Sequence, residues 1–504
     1  MPADRNVLFV IIDQLRADCL FGALADHVNL PHLRALMADA VSFRRHFSVV
    51  NPCGPSRASI LTGQYAMNHR STRNGTPLRH DTPNLATEVR KAGFLPMLFG
   101  YTDTTQDPRA YPPGDPVLTS YEEVMPGFQE VVEMRLEQSL PWRAHLTAKG
   151  YDVPPYPEIF RPAGPRPDDP ALYRAEDSDT AFLTDQTLAA LRVRKPGWFA
   201  HLTYIRPHPP LVAPAPYNRM YDPATLPLPT RVGPAEAERA RHPLIAASHA
   251  KTPIASTVEG FPDLAPTDEN IQMLRAIYLG LATEVDHHLG RVIGFLKETG
   301  QYDSTLIVVT ADHGEMLGDH HAWGKSTVYD AAYHTGLIIR DPALPAQFGR
   351  MVDHPTEAVD VTPTILDCLG LPIPHSMDGC SLLPFLRGET PEDWRDHTFS
   401  ELDFGDPVAP HPAFAALGIA PEEANLAILR GPTHTLVHVN GGLPPLLFDH
   451  RAEGEMRDIA GEPEAQPVLL QMTRAMLDHR MRHADALFAR TMVTGSGVVT
   501  VPRT

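Results

Sequence analysis

The chain has 504 residues, of which 43% are hydrophobic and 21% charged, and a formal net charge of −18 at pH 7. A globular protein of this length buries a large core and is expected to form more than one compact region. The acidic balance excludes a nucleic-acid-binding protein, because phosphate backbones require clustered lysine and arginine. A small anionic substrate is still compatible with this charge, since a metal ion and a few cations reverse the local field.

The predicted elements begin with a short apolar run near the N-terminus, and similar runs recur along the chain. The first run is too short to span a bilayer and lacks a signal-peptide cleavage site, and no later run reaches membrane-spanning length. Four cysteines do not make a disulfide framework over this length, so the sequence predicts a cytoplasmic protein without a membrane partner. Unbroken apolar runs are typical of buried parallel strands, which we predict at residues 7–12, 94–99, 198–204, 306–310 and 337–339.

Helix-like segments lie between the predicted strands, most clearly at residues 84–92 and 273–299. This alternation predicts an α/β fold with a large, doubly wound, mostly parallel sheet. Two proline-rich segments, residues 103–170 and 206–234, are weakly periodic. Loops of this length tend to form lids or walls of a binding site.

After about residue 379 the predicted elements become shorter, with antiparallel strands at residues 426–430, 435–439 and 446–448 and a final helix at 468–486. We therefore predict a catalytic α/β domain over residues 1–379. A smaller α+β domain with a short antiparallel sheet is predicted over residues 380–504. Residues 490–504 have no amphipathic pattern and are expected to form a tail or an arm onto a partner subunit, in a homodimer or homotetramer.

Chemically able side chains follow four of the predicted strands directly. In open α/β sheets the ligand crevice lies outside the carboxyl ends of the strands. The sequence therefore predicts an active site at this edge of the sheet. The residues that follow the strands are, in chain order, Asp13, Gln14, Tyr101, Arg206, His208, Asp312 and His313.

The most specific motif is Cys53-Gly54-Pro55-Ser56-Arg57, which continues to Leu61-Thr62-Gly63. It resembles the signature of the sulfatase family, Cys-x-Pro-Ser-Arg followed by Leu-Thr-Gly. The resemblance implies that Cys53 is oxidised to formylglycine by a formylglycine-generating enzyme, and that the hydrated aldehyde is the nucleophile. A helix over residues 56–62 would place its positive end near Cys53, where Arg57 adds a further positive charge. The alternative is a buried free cysteine before a helix.

A second group of residues, Asp13-Gln14 with Asp312-His313-Gly314-Glu315, supplies carboxylates, an amide and an imidazole from two strand ends. Such a set suits one divalent metal ion, which polarises ester oxygens. The resemblance implies Asp13, Gln14, Asp312 and His313 as ligands, with residue 53 as a further ligand. Taken singly, Asp13 is also compatible with a helix cap and Asp312 with a turn.

The amide and the imidazole depart from the pattern of most sulfatases, which have Asp in place of Gln14 and Asn in place of His313. The combination present here resembles the branch of phosphonate monoester hydrolases and phosphodiesterases, and also choline sulfatases. Because an imidazole ligand moves the preference towards softer ions, we expect manganese first and calcium as the alternative.

Further segments resemble the phosphonate monoester hydrolase branch over nearly the whole chain. By this resemblance Asn74, Tyr101, His208 and Lys325 line the site. Lys325 and His208 are expected to hold the charge of the transferring group, and one of them to protonate the leaving oxygen. Singly, Lys325 is compatible with a solvated surface lysine and His208 with a loop histidine. The segments are Met67-Asn68-His69-Arg70, Gly100-Tyr101-Thr102, Tyr204-Ile205-Arg206-Pro207-His208, Leu317-Gly318-Asp319-His320-His321, Leu443-Pro444-Pro445 and His483-Ala484-Asp485.

Two positions depart from that branch. Ser56 matches the sulfatase signature where the branch commonly has Ala, and Asp103 stands where the branch tends to have Thr. A carboxylate at Asp103 repels a dianion and attracts a cationic or hydroxylated group. Both departures weaken the transfer of phosphonate specificity, and they leave the chemistry unchanged.

The sequence thus predicts a hydrolase of small anionic esters, with sulfate monoesters first and phosphonate monoesters or phosphodiesters second. A metal-holding binding protein without turnover is an alternative if Cys53 is never oxidised. A phosphatase that uses Ser56 as its nucleophile is a weaker one.

Overall fold

The structure is a computed structural model, and it describes residues 5–135, 138–484 and 491–501 of the chain. Two compact units emerge, and neither is continuous in sequence. The first unit comprises Met1–His46, Phe94–Thr102 and Phe128–Asp353, and the second comprises Phe47–Gly93, Asp103–Gly127 and His354–Thr504. The domain boundary after residue 379 stays a prediction, since a compact unit is not by itself an independently folding domain.

The described residues form the following elements. The strands are β1 Asn6–Ile12, β2 Val41–Phe43, β3 His46–Phe47, β4 Val50–Asn51, β5 Pro96–Gly100, β6 Gln129–Glu133, β7 Phe199–Tyr204, β8 Thr305–Thr310, β9 Leu337–Arg340, β10 Met351–Val352, β11 Thr356–Glu357, β12 Thr398–Asp403, β13 Asn425–Arg430, β14 His434–Val439, β15 Leu446–Asp449, β16 Thr491–Thr494 and β17 Gly497–Thr500. The α-helices are α1 Asp18–Phe21, α2 Pro31–Ala38, α3 Cys53–Thr62, α4 Ala66–His69, α5 Leu85–Lys91, α6 Leu140–Ala148, α7 Asp179–Arg192, α8 Ala235–Arg241, α9 Pro243–Lys251, α10 Asp268–Glu298, α11 Val361–Cys368, α12 Leu383–Leu386, α13 Pro412–Ala416 and α14 Gln466–Arg482.

The first unit is built on an eight-stranded sheet with the order β10-β2-β9-β8-β1-β7-β5-β6. Strand β1 pairs in parallel with both β7 and β8, and all seven of its residues are buried, which explains its unbroken apolar sequence. The sheet is mostly parallel, which confirms the predicted fold class. The run at 337–339 was predicted as one more parallel strand, and here the prediction is wrong: β9 pairs antiparallel with β8 and β2.

Helices cover this sheet and complete one large hydrophobic core. The longest, α10, has 31 residues and begins where the hydroxyl of Thr267 accepts a hydrogen bond from the backbone N–H of Asn270. Most of its central residues are buried, as expected for a helix with a wide apolar face. The prediction for residues 103–170 missed β6 and α6. Helix α6 buries only Trp142 and Leu146, four residues apart, so its periodicity is weak.

The second unit contains a five-stranded sheet with the order β15-β14-β13-β12-β4, antiparallel except for the β12–β4 pair. The predicted short antiparallel sheet is therefore confirmed, and the sequence missed β12 and β4. Helix α14 overlaps the predicted segment 468–486 and begins two residues before it, at Gln466. Residues 485 and 486 of that segment are outside the described part, and so is Asp485 of the His-Ala-Asp segment. In the predicted tail, β16 and β17 pair as a hairpin; residues 490 and 502–504 are outside the described part, and the arm stays a prediction.

Among the described residues, no helix is long and apolar enough to cross a membrane.

Candidate active site

The carboxyl ends of β1 and β8 bring Asp13 and Gln14 next to Asp312 and His313 in the first unit. Asp13 follows β1, and its backbone N–H donates to the carbonyl of Tyr204 at the end of β7. Gln14 has a φ of 65°, in the left-handed region that non-glycine residues rarely adopt. This sharp turn lets the backbone N–H of Gln14 donate to Asp312 Oδ1 at 3.1 Å. Strained backbone of this kind is concentrated at functional sites.

Asp13, Asp312 and His313 form a compact, buried group with ligand atoms within 4.8 Å of one another. His313 Nε2 lies 3.9 Å from both Asp13 Oδ1 and Asp312 Oδ2. The other ring nitrogen, His313 Nδ1, lies 3.0 Å from the carbonyl of Gly314. Because a carbonyl only accepts, Nδ1 carries the proton and Nε2 turns its lone pair towards the two carboxylates.

These groups fit a divalent cation. Burial lowers the pKa of His313, so the imidazole is in its neutral, ligating form. Asp13 and Asp312 are buried, and two buried negative charges this close are stabilised by a cation. Gly314 also belongs to this arrangement, because a Cβ atom there would lie 2.0 Å from the carbonyl oxygen of Ala331.

The side chain of Gln14 connects this group to two further predicted site residues. Its Oε1 accepts a hydrogen bond of 2.7 Å from Lys325 Nζ, which lies 3.0 Å from His208 Nε2. An amide oxygen has two lone pairs, so Gln14 can accept from Lys325 and also ligate a metal. The neighbouring residue Tyr101 donates its hydroxyl proton to Asp13 Oδ2.

His208 has a defined tautomer. Its Nδ1 donates to the carbonyl of Pro209, so Nε2 is the acceptor for the ammonium group of Lys325. Desolvation, followed by the charge of Lys325, holds the pKa of His208 well below its usual range. At neutral pH the proton between these two groups is therefore on Lys325.

Glu315 contacts the Gln14 side chain, and the sequence did not indicate this contact. One carboxylate oxygen accepts from Gln14 Nε2, and the other accepts from the backbone N–H groups of Leu317 and Gly324, at 3.1 and 2.6 Å. Glu315 thereby fixes which way the Gln14 amide points. Its place in the Asp-His-Gly-Glu run was the only available signal.

The cysteine motif lies in the second unit, where α3 begins at Cys53 itself and not at Ser56 as predicted. Every residue of α3 is buried, with Cys53 5% and Arg57 0% exposed. A helix of ten residues has its positive end at Cys53, which favours an oxyanion there. Ser56 Oγ lies 3.2 Å from Ser48 Oγ within the same unit.

Asn74 reaches the start of α3. Its Oδ1 accepts a hydrogen bond of 3.0 Å from the backbone N–H of Gly54. A Cβ atom at position 54 would lie 2.9 Å from Asn74 Oδ1 and 3.0 Å from the carbonyl oxygen of Asp103. Glycine is thus required for this close approach. Asp103 is buried, has a φ of 49°, and places its backbone carbonyl beside Gly54.

The predicted site residues therefore fall into two groups, each assembled within one unit. Asn74 lies beside the cysteine motif of Cys53 and Arg57 in the second unit. The roles assigned to these residues, including Cys53 as nucleophile and metal ligand, stay predictions. The first unit brings together Asp13, Gln14, Tyr101, His208, Asp312, His313 and Lys325.

This fold and this arrangement of residues agree with the comparison to known proteins. The family described as Sulfatase matches residues 5–371, and the chain belongs to this family; it is a hydrolase of the alkaline phosphatase superfamily. A second description, N-sulphoglucosamine sulphohydrolase, C-terminal, matches residues 318–482. The resemblance found in the sequence is confirmed.

Three relatives show how far the likeness extends. The chain is 37% identical over 514 residues to a multifunctional alkaline phosphatase superfamily protein of Trinickia caryophylli, covering 98% of this chain and 99% of that protein. It is 26% identical over 426 residues to an arylsulfatase of Clostridium perfringens, covering 80% and 82%. The solved phosphonate monoester hydrolase of Silicibacter pomeroyi is 62% identical, covers 99% of this chain and 100% of its own, and superposes with a TM-score of 0.97.

Removal of one carboxylate is expected to abolish metal binding. We predict that Asp312→Asn reduces bound divalent metal to less than about a tenth of the wild-type content, measured by elemental analysis, because a carboxylate ligand is replaced by a weaker neutral one. Chelation should lower the melting temperature of the wild type and leave that of Asp312→Asn unchanged. The control is Asp286→Asn, a buried carboxylate of the same unit that accepts from backbone N–H groups of α2. Equal metal content in wild type and Asp312→Asn would contradict the assignment.

The close approach at Gly54 makes a second prediction. Gly54→Ala should destabilise the protein by about 1–3 kcal/mol in urea denaturation, because the new methyl group displaces Asn74 or the backbone of Asp103. Turnover should fall with it. Gly461→Ala, in the same unit with open space around it, should be neutral in both measurements. Equal behaviour of the two variants would show that the contact is unimportant.

Proposed function

We propose that this chain hydrolyses phosphonate monoesters, with sulfate monoesters as a second substrate class, through one divalent metal ion and a formylglycine made from Cys53. The observation that carries the proposal is the hydrogen-bonded series from His208 through Lys325 to Gln14, beside Asp13, Asp312 and His313. This order of substrates reverses the one expected from sequence. The reason is the full-length likeness, at 62% identity, to a protein named a phosphonate monoester hydrolase.

The metal ion would be held by Asp13, Gln14, Asp312 and His313. Manganese is the first candidate and calcium the second, because the set includes an imidazole and an amide. When bound, such an ion polarises the ester oxygens and lowers the pKa of a nearby hydroxyl group. In the chain itself, Glu315 orients Gln14, and Tyr101 orients Asp13.

The proposed nucleophile is the hydrated aldehyde at position 53, which needs a formylglycine-generating enzyme as a partner. The N-terminal position of Cys53 in α3 favours negative charge at that side chain, and the buried guanidinium of Arg57 lies one turn along the same helix. Both features support an anionic ester as substrate. We further propose a cytoplasmic homo-oligomer, a dimer or a tetramer, on the basis of the sequence.

Lys325 is the proposed acid for the leaving oxygen. It carries the proton at neutral pH, while His208 is neutral and accepts a hydrogen bond from it. His208 therefore orients Lys325 and does not act as the proton donor itself. This assigns separate roles to the two residues that the sequence left as alternatives.

Side-by-side rates on an aryl phosphonate monoester and an aryl sulfate test the substrate class. Protein from a host that modifies Cys53 should show a kcat/KM on the phosphonate at least about tenfold above that on the sulfate. Cys53→Ala should lose at least about 10³-fold on both esters, since both require the same nucleophile. Cys380→Ala removes an exposed cysteine and should keep wild-type rates.

Three outcomes would contradict this proposal. Full activity in Cys53→Ala would favour Ser56 as nucleophile, and a preference for the sulfate would restore the order expected from sequence. An unmodified thiol in the intact mass of the Cys53 peptide, without turnover, would favour a binding protein.

The proposed acid role of Lys325 can be tested by comparing esters whose leaving phenols differ in acidity. Lys325→Met should lower kcat by about 10²–10⁴-fold for esters of weakly acidic phenols, because their oxygen needs a proton as the bond breaks. The loss should be much smaller for a nitrophenol, whose anion leaves unaided. Lys297→Met, at the far end of α10 beside Tyr302, is the control and should change neither rate. An equal loss for all leaving groups would show that Lys325 does not supply the proton.

A further inference from the structure

We infer that a buried ion pair, Arg206 with Asp179, is the positioning device for His208, and that it controls turnover through His208 and Lys325. The inference rests on the acid role proposed for Lys325. In the described part of the chain, the side-chain hydrogen bonds of Arg206 and Asp179 go to each other, to Thr180 and to the loop that carries His208, and not to Asp13, Asp312 or His313. The pair therefore acts through that loop.

The geometry of Arg206 carries the inference. Its guanidinium is completely buried, and Nε donates to Asp179 Oδ2 at 2.9 Å. Its Nη1 donates to the backbone carbonyls of His208 and Pro210, both at 2.9 Å. One side chain therefore fixes two peptide groups of the loop, one at His208 itself and one two residues further on.

Asp179 is itself held in place at the start of a helix. It is the first residue of α7, where the hydroxyl of Ser178 caps the helix, and its Oδ1 accepts from the backbone N–H of Thr180. The guanidinium plane also lies over the ring of Phe160, at 4.7 Å from its centroid. The loop is thus held between the end of β7 and the start of α7.

The positive charge of Arg206 is compensated by the negative charge of Asp179. Glu284 on α10 is fully buried, and burial together with Asp179 raises its pKa to about 8. At neutral pH it is therefore mostly protonated, which leaves one carboxylate for one guanidinium. A buried pair of this kind is weak evidence for stability alone. What distinguishes it is that two of the arginine donors end on the loop of His208.

A small displacement of the loop that carries His208 would change the position of Lys325, the proposed acid. The contact between His208 Nε2 and Lys325 Nζ is 3.0 Å, and Lys325 in turn donates to Gln14. Lysine at position 206 would keep the charge but lose the planar fork that bonds Asp179 and two carbonyls together. The variant should therefore loosen His208 without removing any group that touches substrate.

The chain offers a matched control in Arg340 on β9. It is also buried, pairs with Asp39 and Asp303, donates to the carbonyl of Tyr302 and lies over the Tyr302 ring. It faces Ile307 near the start of β8, at the opposite end of that strand from Asp312. Arg340→Lys thus removes the same chemistry at the other edge of the sheet.

The experiment compares Arg206→Lys, Asp179→Asn and Arg340→Lys by kcat, KM and leaving-group dependence. Both variants of the pair should lower kcat by about 10²-fold with KM within about threefold, and the loss should grow as the leaving phenol becomes less acidic. Asp179→Glu, which keeps the charge, should recover part of the rate. Arg340→Lys should lose stability without a change in kcat. Asp179→Asn serves as the test if Arg206→Lys does not fold.

An unchanged kcat, or a loss that is equal for all leaving groups, would overturn the inference. If the wild type turns over neither ester, the proposed function fails and the positioning is judged by the crystal structure of Arg206→Lys. A His208 Nε2 to Lys325 Nζ distance that has grown beyond about 4 Å would support the inference, because the hydrogen bond is then broken. A distance unchanged from 3.0 Å would overturn it.

Discussion

Two buried carboxylates and a neutral imidazole, held within 4.8 Å of one another at the ends of β1 and β8, are the constraint on which the rest of the site depends. Negative charges at this separation in a low-dielectric interior repel strongly unless donors and a cation compensate them. The chain supplies the donors from the backbone N–H groups of Gln14 and His313 and from the hydroxyl of Tyr101. The proposed metal ion would supply the positive charge that these donors do not provide.

The left-handed turn at Gln14 connects the buried carboxylate of Asp312 to Lys325. Its left-handed backbone lets one residue donate to Asp312 and present its side chain to Lys325, while Glu315 fixes the orientation of the amide. Lys325 is thereby held beside the proposed metal ligands, and His208 accepts a hydrogen bond from it. With the roles proposed for Lys325 and the metal ion, this arrangement would keep an acid and an electrophile at fixed separation before substrate arrives, which would lower the reorganisation needed during reaction.

Much of this was predictable, because it depends on local sequence. Apolar runs predicted β1, β5, β7 and β8, and the polar residues that follow them were predicted to meet at one edge. The direction of β9 was not predictable, because an apolar run does not indicate whether the strand pairs parallel or antiparallel with its neighbours. No sequence pattern pointed to a role for Asp179, because its role depends on a contact with Arg206, 27 residues away. Glu315 was visible only as part of a motif, and its bond to Gln14 crosses 301 residues.

The most direct test is anomalous diffraction from crystals of protein made in a host that oxidises Cys53. We predict one strong peak at ligand distance from Asp13, Gln14, Asp312 and His313, with the absorption edge of manganese, and density for a formylglycine at position 53. A peak bound elsewhere, or an unmodified thiol at position 53, would contradict this prediction.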